Sequence, residues 1–175
     1  MRGLQTSGDH LRMRILGIDP GKTGALALYE NGAIDIYDMP VRSVKRGRGD
    51  KAEVDAHGVK RLLEEIRPDV AYLEKVGGMP GQGAGNAFNF GRGVGTLEGV
   101  MVALGIPIER VAPLVWQKAV KAIGGKNGSR ARASDMYPKM AHMFARVMDD
   151  DRADAALIAT YGAMDKRVGD GGIFG

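Results

Sequence analysis

The sequence has no cysteine, and it has no apolar run approaching the roughly 20 residues that a membrane-spanning helix needs. The lack of cysteine excludes disulfide bonds and zinc sites built on thiolates. The lack of a long apolar run predicts that no segment crosses a membrane. The first twelve residues, MRGLQTSGDHLR, also lack the apolar stretch of a secretory signal peptide. We therefore expect a protein of a reducing compartment, with a cytoplasmic location and no membrane partner.

The length and composition are those of one globular domain. A chain of 175 residues can bury one full core but not two, and its 44% hydrophobic and 26% charged residues are typical of a globular protein. We expect a single domain over residues 13–165. Flexible segments are expected on both sides of it, a leader over 1–12 and a tail over 166–175.

The charge is unevenly distributed along the chain, although the net charge is only +4. Residues 41–51 contain five basic side chains and one acid, and residues 118–132 contain five basic side chains and no acid. Acids instead gather in MDDDRAD at 148–154. Basic segments around an acidic centre suit a polyanion that is held at its edges while metal ions act in the middle. The alternative is that the basic segments are ordinary solvated loops.

The apolar pattern predicts the element order βββαβαβααα. Runs at 14–18 and 25–29 and the alternating segment 33–39 predict three antiparallel strands, because Asn31-Gly32 is a strong hairpin-turn signal. The other predicted elements are a loop over 42–51, strands over 70–74 and 108–113, and helices over 55–66, 84–104, 114–122, 131–146 and 151–165. The predicted fold is therefore α/β, a five-stranded mixed sheet (a three-strand antiparallel meander plus two parallel strands) flanked by helices.

Three glycines form a stripe on the predicted helix over 84–104. Gly91, Gly95 and Gly99 are spaced four residues apart, which places them on one face. Each interior glycine costs a helix about 1 kcal/mol. The stripe predicts that something packs very close to it, either the sheet or a second protomer.

The stretch ILGIDPGKTGALAL at 15–28 contains Gly-Lys-Thr, the end of the nucleotide-binding P-loop motif. A P-loop would need glycine at position 16, where the chain has Leu16, and a helix after Thr23. A strand-like run follows instead, so this segment is predicted to be the turn between the first two strands. An actin-like ATPase is excluded because the chain leaves no room for a second nucleotide-binding lobe.

Four acids stand out by their positions at element ends. Asp19 closes the first strand, Glu74 closes the fourth, and Asp151 and Asp154 lie three residues apart at the start of the last helix. If strands one and four are neighbours, these carboxylates gather at one edge of the sheet and repel each other unless a cation is bound. Oxygen ligands of this kind suit Mg²⁺, and two such ions can drive phosphodiester hydrolysis.

Each acid also has a structural alternative. Asp19 is a good turn residue before Pro-Gly, and Glu74 fits a salt-bridged surface position. The acids at 149–151 suit the N-terminus of a helix. Asp154 is not explained in this way, because it precedes the apolar run AALIATYGAM and needs a partner on that buried face.

Three motifs in this order resemble those of RuvC-type Holliday-junction resolvases, which are dimeric members of the RNase H-like (retroviral integrase) superfamily. The motifs are GIDPGKTG at 17–24, YLEKV at 72–76 and DRADAALIA at 151–159, and the segment PLVWQKAVKAIGGKNGSRARASDMYPKM is similar to the basic segment of that family. The resemblance covers about residues 14–165. It implies an RNase H-like fold, a homodimer, and a location in the cytoplasm of a bacterium or a phage-infected host cell.

The resemblance also implies a role for each matching residue. Asp19, Glu74, Asp151 and Asp154 would bind two Mg²⁺ ions, for which Mn²⁺ can substitute, with Asp19 as the shared ligand. Lys118 would contact the scissile phosphate. The residues expected to hold the nucleic-acid backbone are Lys126, Arg130 and Arg132, together with Lys45, Arg46 and Arg48 of the basic loop.

The sequence departs from the family in one important place. Members often have an aromatic residue just after the catalytic glutamate, where it wedges the junction open, but here Glu74 is followed by Lys75-Val76-Gly77. The nearest aromatics, Phe88 and Phe90, are interpreted as helix-packing residues rather than base stackers.

The resulting hypothesis is a Mg²⁺-dependent endodeoxyribonuclease that cuts four-way DNA junctions in recombination and repair, leaving 5′-phosphates. One alternative is a nuclease of the same fold acting on flaps, forks or structured RNA. Another is a nucleic-acid-binding module without catalytic activity.

Overall fold

The structure is a computed structural model that describes residues 13–47, 49–77 and 83–171. The predicted leader over 1–12 and the end of the predicted tail, 172–175, lie outside the described residues. In chain order the strands are β1 (Ile15–Asp19), β2 (Ala25–Glu30), β3 (Ala33–Asp38), β4 (Val41–Arg46), β5 (Gly49–Val54), β6 (Val70–Glu74) and β7 (Ile108–Val111). The helices are α1 (Ala56–Ile66), α2 (Ala84–Ala103), α3 (Pro113–Val120), α4 (Gly125–Met136) and α5 (Asp150–Gly171), and two 3₁₀ helices (Pro138–Phe144 and Val147–Asp149) precede α5.

The main sheet has five strands in the order β3-β2-β1-β6-β7. β1, β2 and β3 pair antiparallel, whereas β6 pairs parallel with both β1 and β7. Asn31 and Gly32 both adopt positive φ in the turn between β2 and β3, as expected for an Asn-Gly hairpin. The predicted α/β fold, with its meander and its parallel strands, is confirmed.

The prediction of a loop over 42–51 is wrong, because this segment forms a separate two-stranded hairpin of β4 and β5. The usual strand pattern is missing from the sequence because most side chains of the hairpin are exposed, so neither face needs to be apolar. Cross-strand partners contribute instead: Arg42 lies opposite Glu53 and donates to its carboxylate at 3.1 Å. We call β4 and β5 the basic hairpin.

The predicted helix over 131–146 is also corrected. The observed helix α4 begins earlier, at Gly125, and ends at Met136. Tyr137 follows and precedes Pro138, and a proline disfavours the α conformation at the residue before it. The chain continues as a 3₁₀ helix instead. The last helix, α5, extends to Gly171, past the predicted end at residue 165.

The sheet separates two apolar clusters, and the strands contribute to both by alternation. In β1, Ile15 lies in the cluster under α5, whereas Leu16 and Ile18 lie in the cluster under α1 and α2. In β6, Val70 and Tyr72 face α5 in the same alternating way. Successive side chains of a strand point to opposite faces. The alternate residues that face α5 therefore include the last residue of each strand.

Helix α5 lies directly on β1, and a glycine makes this possible. A Cβ atom on Gly17 would come within 2.3 Å of both the Ala155 oxygen and the Ala159 nitrogen, which are backbone atoms of α5. Real Cβ atoms do not approach so closely, so only glycine permits this contact. Gly17 therefore sets how closely the start of α5 lies to the end of β1.

The glycine stripe of α2 has no close neighbour among the described residues. A Cβ atom placed on Gly91, Gly95 or Gly99 would have nothing within 4 Å. Of the two expectations, packing against the sheet is therefore wrong for this face, and packing against a second protomer stays a prediction. None of the described helices is long and apolar enough to span a bilayer.

Candidate active site

Asp19 and Glu74 lie side by side at one edge of the main sheet. β1 and β6 run parallel with Ile18 opposite Leu73, so the next residue of each strand, Asp19 and Glu74, falls at the same edge. Both belong to the alternating series that faces α5. Strand pairing and strand alternation together thus bring the two predicted carboxylates to one place.

Asp151 and Asp154 reach this edge from the first turns of α5. The helix start is held by a different acid: Asp149 is 1% exposed, accepts a hydrogen bond from the Arg146 backbone N–H at 2.8 Å and also accepts from Arg152 at 3.1 Å. Asp149 therefore has the helix-terminal role that was the structural alternative for the acids at 149–151. Asp151 also lies in the first turn of α5, so the alternative applies to it as well, but it does not extend to Asp154 in the next turn.

The electrostatics of the four acids are coupled. The pKa of Asp19 is raised to about 9, first by burial and then by the charges of Asp151, Glu74 and Asp154 in that order. Burial also raises the pKa of Glu74, and Asp151 adds to the effect. The pKa of Asp151 is raised as well, first by burial and then by the charge of Asp150, while a hydrogen bond with the Asp19 side chain acts in the opposite direction. The raised pKa values reflect the mutual repulsion that the sequence predicted for these acids.

Asp154 carries the clearest sign that a ligand fits here. Its Oδ1 atom is buried and has no hydrogen-bond partner among the described residues, which is costly for a carboxylate oxygen. Burial raises the pKa of Asp154 to about 6, and a hydrogen bond from the Ser129 hydroxyl acts in the opposite direction. An acceptor atom held in this way could bind a ligand without losing an existing hydrogen bond.

The four carboxylate side chains suit a hard divalent cation, although they are not arranged as a complete coordination shell. Within the ranges that the structure describes, no three acidic or histidine side chains are gathered closely enough to enclose an ion. The candidate ligands are all carboxylates, the donors that Mg²⁺ takes together with water and phosphate oxygens. The unpartnered Oδ1 of Asp154 and the mutual repulsion of the acids both agree with a cation bound at this edge.

Three neutral side chains contact the acids, and the sequence reasoning missed all of them. The Trp116 indole Nε1 donates to Glu74 Oε1 at 3.0 Å, and the hydroxyls of Thr23 and Ser129 bond Asp151 and Asp154. Thr23 could have been found, since it lies in the same turn motif as Asp19. Trp116 and Ser129 gave no signal because they come from α3 and α4, whose docking is not visible in the sequence.

The predicted lysines behave differently from one another. Lys126 forms an ion pair with Asp150, and its charge lowers the pKa of Asp151, so its side chain lies beside the acids. Lys118, the expected phosphate contact, is exposed on α3. The charge of Lys126 acts on the pKa of one of the four acids, whereas no such effect is found for Lys118. Lys126 therefore lies beside the acidic edge, and the expected contact of Lys118 with the scissile phosphate stays a prediction.

The two predicted arginines of α4 have structural contacts. Arg132 donates from Nε to the Val120 carbonyl at 2.7 Å, which satisfies the C-terminal end of α3. Arg130 donates to the Asn127 side chain at 2.5 Å and to the Ala145 carbonyl at 3.4 Å. Their expected contacts with nucleic acid stay predictions.

A cleft of about 640 Å³ opens beside the acids. Asp19 and Asp151 line it on one side, residues 50–54 of the basic hairpin form another side, and α2 contributes Phe90 and Arg92. Arg92 forms an ion pair with Glu53, which ties the hairpin to α2. Asp19 and Asp151 are therefore reached through a groove that has the basic hairpin as one wall.

The basic hairpin presents lysines on both of its strands. Lys45 is exposed on β4, as is Lys51 on β5. Of the other predicted nucleic-acid contacts, Arg46 belongs to β4, but its side chain lies outside the described part of the structure, and Arg48 lies outside the described residues.

The packing expected of Phe88 is not found within the single chain, where its side chain is 67% exposed. Phe88 lies on α2 shortly before Gly91, so the exposed apolar surface continues into the glycine stripe. Phe90 is half-buried and lies beside the turn that follows Asp19, at 3.5 Å from the position of a Cβ atom on Gly21.

Comparison with known proteins agrees with the motifs. No protein-family model matches the sequence. The crossover junction endodeoxyribonuclease RuvC of Chloroflexus aurantiacus is 26% identical over 152 residues, which cover 84% of this chain and 90% of that protein. RuvC of Xanthomonas oryzae pv. oryzae is 28% identical over 154 residues, covering 83% of this chain and 84% of that protein.

Solved structures show the same fold. Thermus thermophilus RuvC in complex with a Holliday junction substrate has a TM-score of 0.55 at 19% identity, covering 90% of this chain and 96% of that one. The yeast mitochondrial Holliday junction resolvase Ydc2 has a TM-score of 0.56 at 14% identity, covering 89% and 81%. The resemblance predicted from three acidic motifs is confirmed over most of the chain: this protein is similar to RuvC-type resolvases in sequence and shares their fold.

Proposed function

We propose that this protein is a divalent-metal-dependent DNA endonuclease that resolves four-way junctions. The observation that carries the proposal is the meeting of Asp19, Glu74, Asp151 and Asp154 at one edge of the sheet, with Asp154 Oδ1 buried and unpartnered among the described residues. The similarity to crossover junction endonucleases supports the choice of substrate.

The four carboxylates would hold two Mg²⁺ ions, or Mn²⁺ in their place, with Asp19 shared between them. When bound, such ions activate a water for in-line attack and stabilise the charge on the leaving oxygen. The chain itself contributes orientation and charge. Burial of the cluster strengthens every charge interaction within it.

The basic side chains would hold the nucleic acid around this centre. Lys126 is placed to contact a phosphate next to the acids, where it now pairs with Asp150. Lys118, Arg130 and Arg132 extend the same basic segment. Lys45 and Arg46 of the basic hairpin, together with Arg48, would hold the backbone of DNA that enters the cleft.

Paired cleavage of opposed strands requires two active sites, and we infer a homodimer formed through α2. Its exposed face combines Phe88, 67% exposed, and Val102, 69% exposed, with the glycine stripe between them. An apolar helix face with open space over its glycines suits the close approach of an identical helix.

The function is tested with a synthetic four-way junction and Mg²⁺, with products resolved on a denaturing gel. We expect symmetric paired cuts by the wild type, and a loss of about 1000-fold or more for Asp19→Asn, since a metal ligand contributes several kcal/mol to the transition state. Asp135→Asn, which removes an exposed acid of α4, is the matched control and should cleave normally.

Wild-type rates for both Asp19→Asn and Asp154→Asn would show that this cluster is not the active site. Flap, fork and structured-RNA substrates of matched sequence are run in parallel. Faster cleavage of one of these than of the junction would assign the enzyme to the alternative substrate class.

The dimer is tested by sedimentation velocity. Gly95→Arg introduces a long charged side chain on the open face of α2, and we expect it to convert a dimer to a monomer that nicks junctions without resolving them. Gly49→Arg, at an equally open position on the basic hairpin, should leave the dimer intact. A wild-type protein that sediments as a monomer at micromolar concentration would contradict the proposal.

A further inference from the structure

Trp116 is the single tryptophan of the chain, and its side chain is 0% exposed. Its indole Nε1 donates a hydrogen bond to Glu74 Oε1 at 3.0 Å. A buried indole N–H usually finds a partner, but a backbone carbonyl would satisfy it equally well. Here the partner is one of the four acids of the candidate active site.

The fold brings the indole to this acid through the end of the sheet. Glu74 lies opposite Val111 in the register of β6 and β7, and the next backbone N–H, that of Lys75, donates to the Val111 carbonyl at 2.7 Å. Helix α3 starts two residues later, at Pro113, and Trp116 is the fourth residue of this helix. Trp116 therefore reaches Glu74 from a helix anchored to the neighbouring strand.

A neutral donor is well suited to orient a metal ligand. A lysine or arginine at this position would neutralise the carboxylate and compete with a cation for it, whereas an indole N–H fixes one oxygen and leaves the negative charge in place. No hydrogen bond to the other oxygen, Oε2, is found among the described residues. The carboxylate is thus held in one orientation with Oε2 available, and it interacts electrostatically with Asp151.

We propose that Trp116 is a positioning residue for the metal site, which orients Glu74 so that Oε2 coordinates the divalent ion. The inference rests on the proposed function in that it assumes that Glu74 is a metal ligand. It adds a residue of α3 that makes no contact with substrate and acts only through Glu74. It also makes the one tryptophan of the protein a reporter of metal binding.

The first test measures Mg²⁺ affinity without DNA. Binding of an ion to the folded state raises the melting temperature, so a Mg²⁺ titration followed by thermal unfolding gives an apparent affinity. Trp116→Phe keeps an aromatic ring but removes the N–H, and we expect the apparent affinity to fall about 10- to 100-fold, as for other residues that orient metal ligands.

Tyr137→Phe is the matched control. It removes a buried hydrogen bond in the same apolar cluster, that between the Tyr137 hydroxyl and Thr160 Oγ1 at 2.6 Å, without touching an acid. We expect it to lower the melting temperature in the absence of metal but to leave the Mg²⁺ affinity unchanged. An equal loss of affinity in the two variants would show that Trp116 acts only through packing.

The second test uses the wild-type protein and applies even if Trp116→Phe does not fold. Coordination of Glu74 changes the charge next to the indole, so Mg²⁺ should change the tryptophan emission in a saturable way. Glu74→Gln keeps an acceptor for the indole but weakens coordination, and its emission should respond only at about 10-fold higher Mg²⁺ or more. The proposal would be overturned if the wild-type tryptophan emission did not change at Mg²⁺ concentrations that raise the melting temperature.

These outcomes are distinguishable from a failure of the proposed function. If the protein binds Mg²⁺ but cuts no junction, the role of Trp116 is still decided by the two titrations. If Mg²⁺ neither raises the melting temperature nor alters the emission, the metal site itself is wrong, and the proposal for Trp116 fails together with it.

Discussion

The acidic edge of the sheet and the basic hairpin line the same cleft, but they are held in different ways. The acidic edge lies on strands whose side chains are almost completely buried, and α5 is in backbone contact with β1 at Gly17. The basic hairpin has mostly exposed side chains, and it is joined to the rest of the chain through its base, where Val54 is buried and Glu53 pairs with Arg92.

The difference matches what each region is proposed to do. Charges that act on a scissile phosphate need fixed positions and a low dielectric, and these come from a packed core. Charges that hold a nucleic-acid backbone act through exposed, mobile side chains and need little support. The same change of residue should therefore have very different effects in the two regions, and three predictions follow this contrast from the largest effect to the smallest.

The largest effect is expected from adding one methyl group to the packed region. Gly17→Ala would place a Cβ atom within 2.3 Å of backbone atoms of α5, which cannot move aside as a side chain can. We expect a loss of about 3 kcal/mol in the free energy of unfolding, measured by urea denaturation.

The identical change in the basic hairpin is the control. A Cβ atom on Gly49 would have nothing within 4 Å, and this residue does not have positive φ. Gly49→Ala should change the free energy of unfolding by less than about 0.5 kcal/mol and leave cleavage intact. Equal losses for Gly17→Ala and Gly49→Ala would contradict the contrast between the two regions.

A smaller effect is expected from removing charge from the hairpin. In an Asp19→Asn background, which prevents cleavage, the pair Lys45→Ala and Lys51→Ala should weaken junction binding. The slope of log affinity against log salt concentration should become less steep by about 0.9 for each phosphate that the variant no longer neutralises. Stability should not change, since both side chains are exposed.

The control for this pair removes the same charge elsewhere. Lys60 on α1 and Lys139 in the first 3₁₀ helix are exposed and do not line the cleft. If the double variant Lys60→Ala and Lys139→Ala flattens the salt dependence as much as the hairpin pair does, the hairpin has no special part in binding.

The smallest effect is expected where β3 meets the start of α5. Arg152 donates two hydrogen bonds of 2.6 Å to the Asp38 carboxylate, and they are the main cause of the lowered pKa of Asp38. A carboxylate with a lowered pKa stabilises the folded state above its unfolded pKa of about 3.8. That stability is lost as the pH falls through the folded-state pKa.

Asp38→Asn tests this ion pair. The Asp38 side chain is 67% exposed, so we expect a loss of only about 0.5 kcal/mol at pH 7. The difference between wild type and variant, measured by urea denaturation at several pH values, should be constant from about pH 5 to 8 and shrink below about pH 4. A difference that grows on acidification would have the wrong sign for this ion pair.

Much of the candidate site could be predicted because it depends on local sequence. Asp19 and Glu74 each end an apolar run, and the spacing of Asp151 and Asp154 places them about one helical turn apart. The basic hairpin was missed for the opposite reason. Its exposed strands have no apolar face, so the sequence shows no strand pattern there. The charged cross-strand pairs that define the hairpin, such as Arg42 with Glu53, are recognisable only once the strands are paired.

The sequence by itself determined which acids face one side of the sheet, because alternation along a strand is a property of the backbone. It also determined the turn after Asp19, since no P-loop helix can follow Thr23 and Gly24. These features need no knowledge of distant residues.

Only the tertiary structure decided what surrounds those acids. Gly17 admits α5 onto β1, α3 brings Trp116 to Glu74, and α4 brings Lys126 next to the acids. Each of these contacts joins residues far apart in the chain. Such contacts depend on how closely helices and strands can pack, which no short stretch of sequence specifies.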